Sequence, residues 1–339
     1  MPSAKFILYA DDANIILTGP NIEDVSNQLD NLTKILPDWV SSNGLALNLK
    51  KTKYMIFSRS KPELPCPPKL CGKVIERETE TRFLGVIVDE KLTWSKHIQT
   101  LKSKMCRYIG IMYKLKNLLP IKARLQIYHS FVQSHLNYCS LVWGFACKSH
   151  IDSLFVKQKK GMRAVVPGFI NYRYRDGIIP GHTKIHFKEY NILTVHGIIV
   201  SNTLIFLHKV RNLPSTLPKS VRVTIAENSP VQGSNHATSK EWLSKYENNI
   251  YLKSLFYKGP LLAAENRFSE LATAANILNV KLFKNSVKRK LIQIQSDGDT
   301  ETWSSENFPL FNIVGLRKSA RINNTECRFY TLECPPSSL

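Results

Sequence analysis

Near the start of the chain two apolar runs, Phe6-Ile7-Leu8 and Ala13 to Leu17, stand on either side of Tyr9-Ala10-Asp11-Asp12. Strand-length runs around a short polar break predict a β-hairpin with the two aspartates at its tip. From Ile22 the period changes. Ile22, Val25, Leu29, Leu32, Leu36 and Trp39 recur at three- and four-residue spacing, with Asn21 placed to cap the start of a helix and Gly44 to stop it. Pro37 removes a backbone donor and is expected to kink or end that helix. Leu45, Leu47 and Leu49 then alternate with smaller or polar residues, and Tyr54 to Phe57 reads as a further strand.

Pro62, Pro65, Pro67 and Pro68 make residues 61–71 an extended connector. Beyond it, Thr81 to Asp89 reads as a strand whose Gly85 marks either a bulge or a close backbone approach. From Ser95 the pattern is helical. Ile98, Leu101, Met105, Tyr108, Met112 and Leu115 form one apolar stripe. A second helix is expected from Pro120, with Leu125, Tyr128, Phe131 or Val132, Leu136, Cys139 and Val142-Trp143 inward, and a third over 151–166. His129 and His135 read as core or interfacial side chains. Residues 190–209 are again helical, the polar stretch to about His236 is irregular, and further helices are expected near 267–278 and 283–294. The rest, 295–339, shows little periodicity and is expected to be poorly ordered. Strands and helices in this order predict an α+β chain.

At 339 residues and 43% hydrophobic composition, the chain has enough apolar residues to build cores. Its formal charge of +21 is concentrated. From Lys91 to Arg175 sixteen Lys and Arg face the single acid Asp152, a balance of +15 in a quarter of the chain. A segment so nearly free of acids repels itself until a polyanion neutralises it. Nucleic acid fits better than a membrane, because no apolar run approaches the roughly 20 residues needed to span one. The seven cysteines are odd in number and scattered, with no zinc spacing, and read as reduced thiols. The interrupted start fails as a secretory signal, so an intracellular chain is expected, in nucleus or cytoplasm.

Adjacent carboxylates at a rigid turn suit a divalent cation. The bland alternative is a surface turn that they cap. Two-metal phosphoryl transfer uses cations roughly 3.5–4 Å apart and normally draws a carboxylate from another strand. Asp24, Asp30 and Asp38 on the first helix, and Asp89 on the later strand, do not stand where such a partner is needed.

Taken together, these residues resemble the reverse transcriptases of non-LTR retrotransposons, the jockey-like and CR1-like lineages in particular, over about residues 5–295. Tyr9-Ala10-Asp11-Asp12 is similar to the family's catalytic Y-x-D-D. Gly44-Leu45 to Asn48 with Lys51-Thr52 resembles the stretch that follows it in the palm. Phe83-Leu84-Gly85, with Asp89, Leu92, Trp94, His97 and Ile98, resembles the strand pair and thumb entry near the primer. Asn137-Tyr138 to Trp143-Gly144 is similar to the thumb's closing helix, while Phe256 to Pro260 and Phe283 to Lys290 resemble the end of such reading frames.

The resemblance implies a partial palm at 1–60, a connector with primer-grip-like strands at 61–94, a basic helical thumb at 95–180, a helical region at 181–295 and a tail at 296–339. It implies Asp11 and Asp12 as Mg²⁺ ligands and catalytic groups, and Lys51 as a proton donor to departing pyrophosphate. Tyr9, Phe83, Leu84 and Gly85 would meet the primer. Lys102, Lys104, Arg107, Lys114, Lys116, Lys157, Lys159, Lys160 and Arg163 would hold the phosphates of an RNA template and its RNA–DNA or DNA duplex. The fingers and the strand bearing the first catalytic aspartate are absent from this sequence. An amino-terminally truncated polymerase, inactive alone, is therefore expected, the alternative being a non-catalytic nucleic-acid-binding remnant.

Overall fold

The computed structural model describes residues 4–10, 12–58, 63–166, 183–212, 215, 279–297 and 326–333. The chain divides into two compact units, Met1–Thr93 with Ser319–Leu339, and Trp94–Lys318.

The first unit is a sheet covered by one helix. Strands β1 (Lys5–Tyr9) and β2 (Asp12–Gly19) form the expected hairpin, Tyr9 pairing with Asp12 across a two-residue loop. Ala10 in that loop has φ 48°, the left-handed backbone that two-residue hairpins require. Helix α1 (Ile22–Ser42) follows, its start fixed by Asn21, whose Oδ1 accepts from the Asp24 amide at 2.7 Å. Val25, Leu29, Leu32, Leu36 and Val40 of α1 are buried with Ile15, Leu17, Tyr54, Ile56, Leu70 and Ile75. Each large buried side chain contributes about 1.5–3 kcal/mol. That explains why α1 runs through Pro37 to Ser42 instead of ending there: Leu36 and Val40 bury themselves on either side of the proline.

Strand β3 (Lys53–Phe57) is the expected one, whereas 45–48 has no regular structure. Short strands β4 (Lys69–Leu70), β5 (Lys73–Val74) and β6 (Glu76–Arg77) follow, β6 running parallel to β3 with Lys53 ion-paired to Glu76. The expected single strand 81–89 is instead a tight hairpin, β7 (Glu80–Phe83) and β8 (Val86–Asp89). Leu84 and Gly85, at φ 45° and 80°, are its loop, so the glycine supplies a reverse turn.

The main sheet has the order β1-β2-β9-β3-β6, where β9 is Glu326–Glu333. This strand lies in the stretch expected to lack order, and pairs antiparallel with all eight residues of β2 and all five of β3. Cys327 to Leu332 is rich in residues that suit strands, but pairing with partners from the start of the chain leaves no local periodic signal.

The second unit is helical. Helices α2 (Ser95–Leu115), α3 (Ile121–Tyr128), a π-helical turn (His129–Gln133), α4 (Ser134–Asn137), α5 (Ser140–Trp143) and α6 (Lys148–Val165) precede α7 (Thr183–Glu189), α8 (Val195–Asn212) and α9 (Val280–Asp297). Their shared core includes Ile98, Met105, Ile109, Tyr128, Val132, Leu136, Trp143, Leu154, Met162 and Ile199. On α2 the buried position is Ile109, one turn after Met105, and not Tyr108. The single helix expected after Pro120 is broken at Tyr138-Cys139, Cys139 lying at φ 50°. Gly144 then lets α5 approach α8, since a Cβ there would stand 2.2 Å from the Ser140 carbonyl and 2.9 Å from Ile199. Residues 267–278 lie outside those described.

Candidate functional site

In the first unit, the loop end of the β1–β2 hairpin is where candidate groups meet. Asp12 opens β2, half-exposed, directly opposite Tyr9 on one side and Glu333 on the other in register. Asp11 lies outside the described residues. Lys53 begins β3 level with Thr331, which in turn is level with Asn14. The antiparallel pairing therefore sets Lys51, two residues earlier, at the same end of the sheet as Tyr9 and Asp12. Lys51 is exposed in a turn held by its amide bond to the Asn48 carbonyl at 3.0 Å.

Phe83, Leu84 and Gly85 belong to the separate two-stranded sheet β7–β8. Asp89, at the end of that hairpin, has a structural task. Its carboxylate accepts from the amides of Lys91 (3.2 Å) and Thr93 (2.9 Å) and from the Thr93 hydroxyl (3.2 Å), closing the turn that precedes α2.

In the second unit the basic residues fall on α2, its end and α6, which lie side by side. The Tyr113 hydroxyl donates to the Lys160 carbonyl at 3.3 Å, and Lys116 Nζ donates to the Arg163 carbonyl at 3.0 Å. Lys116 thus satisfies a carbonyl in the last turn of α6. Burial, with the nearby Arg124 charge, lowers its pKa. Lys159 stacks its ammonium 4.6 Å above the Phe155 ring, and burial with Arg163 lowers its pKa as well, Asp152 opposing. Arg107, Lys114 and Lys160 are exposed, and Lys102, Lys104, Lys157 and Arg163 half-exposed.

Asp152 sits 3.0 Å from Nε2 of the buried His196. Gln158, a residue the periodicity gives no reason to single out, is buried in α6 and holds α3 and α8 to it: Nε2 donates to the Tyr128 hydroxyl (3.0 Å) and the Leu193 carbonyl (2.9 Å), and Oε1 accepts from the Val195 amide (2.7 Å). Burial raises the Tyr128 pKa, the Gln158 hydrogen bond opposing it. Cys66, Cys71, Cys106, Cys139 and Cys147 are free thiols. Among the described residues, no three His, Cys, Asp or Glu side chains converge, and no helix is long and apolar enough to cross a membrane.

Comparison with known proteins bears out the family resemblance. The chain is 26% identical over 161 residues to the RNA-directed DNA polymerase from mobile element jockey of Drosophila melanogaster, covering 46% of this chain and 17% of that protein. It is 23% identical over 160 residues to the probable RNA-directed DNA polymerase from transposon X-element of the same organism, 46% of this chain and 18% of the relative. A probable RNA-directed DNA polymerase from transposon BS is 23% identical over 221 residues, 64% of this chain and 23% of the relative. The chain thus spans less than a quarter of the length of these relatives. No protein-family model matches it. No solved structure matches it.

Proposed function

We propose that the chain is part of the RNA-directed DNA polymerase of a non-LTR retrotransposon, in which the first unit belongs to the palm and the basic helices of the second form the thumb. The similarity to the jockey, X-element and BS polymerases carries this reading. In it, α2 and α6 hold the phosphates of a template–primer duplex, a grip independent of sequence and steeply dependent on salt. Tyr9, Asp12 and Lys51 occupy the sheet end nearest the primer terminus, and Phe83 to Gly85 support the primer strand.

Mg²⁺, when bound to such a polymerase, activates the attacking hydroxyl and offsets the charge that develops on phosphate. Asp12 stands at the hairpin end with Glu333 opposite it in register, and among the described residues no three His, Cys, Asp or Glu side chains converge. Asp11 and Asp12 would hold such an ion in the whole polymerase, and the chemistry we assign to this chain alone is binding. The test is primer extension on an RNA template with Mg²⁺ or Mn²⁺, run beside hybrid-duplex binding. Binding without extension, unchanged by Asp11→Ala, is expected. Robust incorporation abolished by Asp11→Ala would overturn the assignment to binding alone, and absence of duplex binding would overturn the reading as a whole.

A further inference from the structure

A continuous helix from Pro120 would carry Phe131 or Val132 inward. The structure inserts a π-helical turn at His129–Gln133, which leaves Val132 fully buried while Phe131 stays 45% exposed. π-turns are rare, and they recur at functional sites. Here the turn presents an aromatic ring that the core did not take.

That ring is not isolated. Phe131 stacks on Tyr108 of α2, centroids 4.9 Å apart at 29°, and Tyr108 stacks in turn on His135 at 5.7 Å and 24°. Three near-parallel rings from two segments make a short aromatic row at the surface of the second unit. Lys104 stands one turn before Tyr108 on α2, and exposed Arg107 is its neighbour in sequence. Burial and the Lys104 charge lower the proton affinity of His135. Helices α2 to α6 contain one acid, Asp152, and its carboxylate is engaged by His196. Flat apolar rings rimmed by cations, on helices nearly free of carboxylates, match a ligand with flat apolar faces on an anionic backbone.

We propose that Phe131, Tyr108 and His135 form a base-stacking platform for single-stranded nucleic acid. A paired duplex hides its base faces and reaches a basic surface only through phosphate, whereas an unpaired strand can lay a base on the exposed Phe131 ring at the end of the row. The proposal rests on the nucleic-acid reading above and names its single-strand component, which uses ring contacts in addition to the phosphate grip of α2 and α6. An acidic protein segment is the competing occupant.

The experiment uses the full chain in fluorescence titrations with a 12-residue single-stranded RNA carrying 2-aminopurine, and separately with an RNA–DNA hybrid duplex of the same length. Stacking predicts quenching of 2-aminopurine on binding. It also predicts that Phe131→Ala weakens single-strand binding roughly five- to 150-fold, the range measured for removing one stacked base partner. Hybrid binding should change less than twofold. Phe131→Leu, which keeps apolar packing without a ring, should lose the same affinity, and Phe131→Trp should retain it. Unchanged single-strand affinity in both Phe131→Ala and Phe131→Leu refutes the platform, as does an equal loss on hybrid and single strand. Absence of quenching refutes it too. If the parent binds neither nucleic acid, the proposed function itself is wrong. If it binds an acidic peptide through Phe131 in place of RNA, the protein occupant is correct.

Discussion

Replacing Gln158 by Leu removes three hydrogen bonds from the centre of the second unit at nearly constant volume. The amide of Val195 and the carbonyl of Leu193, both buried, lose their side-chain partner, and the Tyr128 hydroxyl loses a donor. A buried polar group stripped of its partner costs about 1–3 kcal/mol. With some of the loss recovered by the leucine's apolar burial, roughly 3–5 kcal/mol should disappear, concentrated where α8 begins. Hydrogen exchange of the full chain followed by mass spectrometry reads this directly. Amides of the first turn of α8 should exchange roughly a hundred- to several-thousandfold faster, a tenfold change corresponding to 1.4 kcal/mol. A loss below about 1 kcal/mol, or acceleration spread evenly over α2, α6 and α8, would refute the idea that Gln158 is the clamp.

Other consequences follow from the same geometry. Gly144→Ala places a Cβ 2.2 Å from the Ser140 carbonyl, which is backbone and cannot give way, and 2.9 Å from Ile199 of α8, so a loss of more than about 3 kcal/mol is expected in urea unfolding, and a loss under about 1 kcal/mol would contradict this close packing around Gly144. Burial, aided by the Lys104 charge, lowers the His97 pKa from 6.5 to about 4. Between those values the unfolded imidazole binds a proton that the folded one does not. Stability should therefore fall by up to about 3 kcal/mol as pH drops from 6.5 to 4, and His97→Gln should flatten that part of the melting-temperature profile. An unchanged profile removes the assigned cause. Strand β1 is an edge strand exposed along its whole length, with Phe6 53% and Leu8 63% exposed, so Leu8→Lys should lower self-association in light scattering, whereas equal aggregation would place the sticky surface elsewhere.

Local pattern made much of this structure legible. The opening hairpin, α1 with its Asn21 cap, β3, α2 and α6 each declare themselves through periodicity and end signals within one element. The failures have specific causes. Pro37 was outweighed by the burial of Leu36 and Val40, a tertiary effect. Gly85 marks a reversal of direction because Leu84 shares its left-handed backbone, which composition does not reveal. Spacing alone puts Tyr108 in the core, whereas Ile109 takes the buried position and leaves the tyrosine to stack on Phe131. Strand β9 depends on pairing with β2 and β3 far earlier in the chain, and Gln158 is recognisable only once α3 and α8 stand around it. Of the candidate catalytic groups, sequence supplied the residue types, and the sheet register adds that Tyr9, Asp12 and Lys51 share one end.

The reading as a nucleic-acid-gripping part of a polymerase meets its most direct test in the salt dependence of RNA–DNA hybrid binding, compared between the parent chain and a variant with Lys157, Lys159, Lys160 and Arg163 all changed to Gln. Each lost phosphate contact lowers the slope of log affinity against log salt by roughly 0.9 for a duplex, so a decrease of about 3 to 4 is expected with folding intact by circular dichroism. An unchanged slope and affinity in the variant would contradict the account.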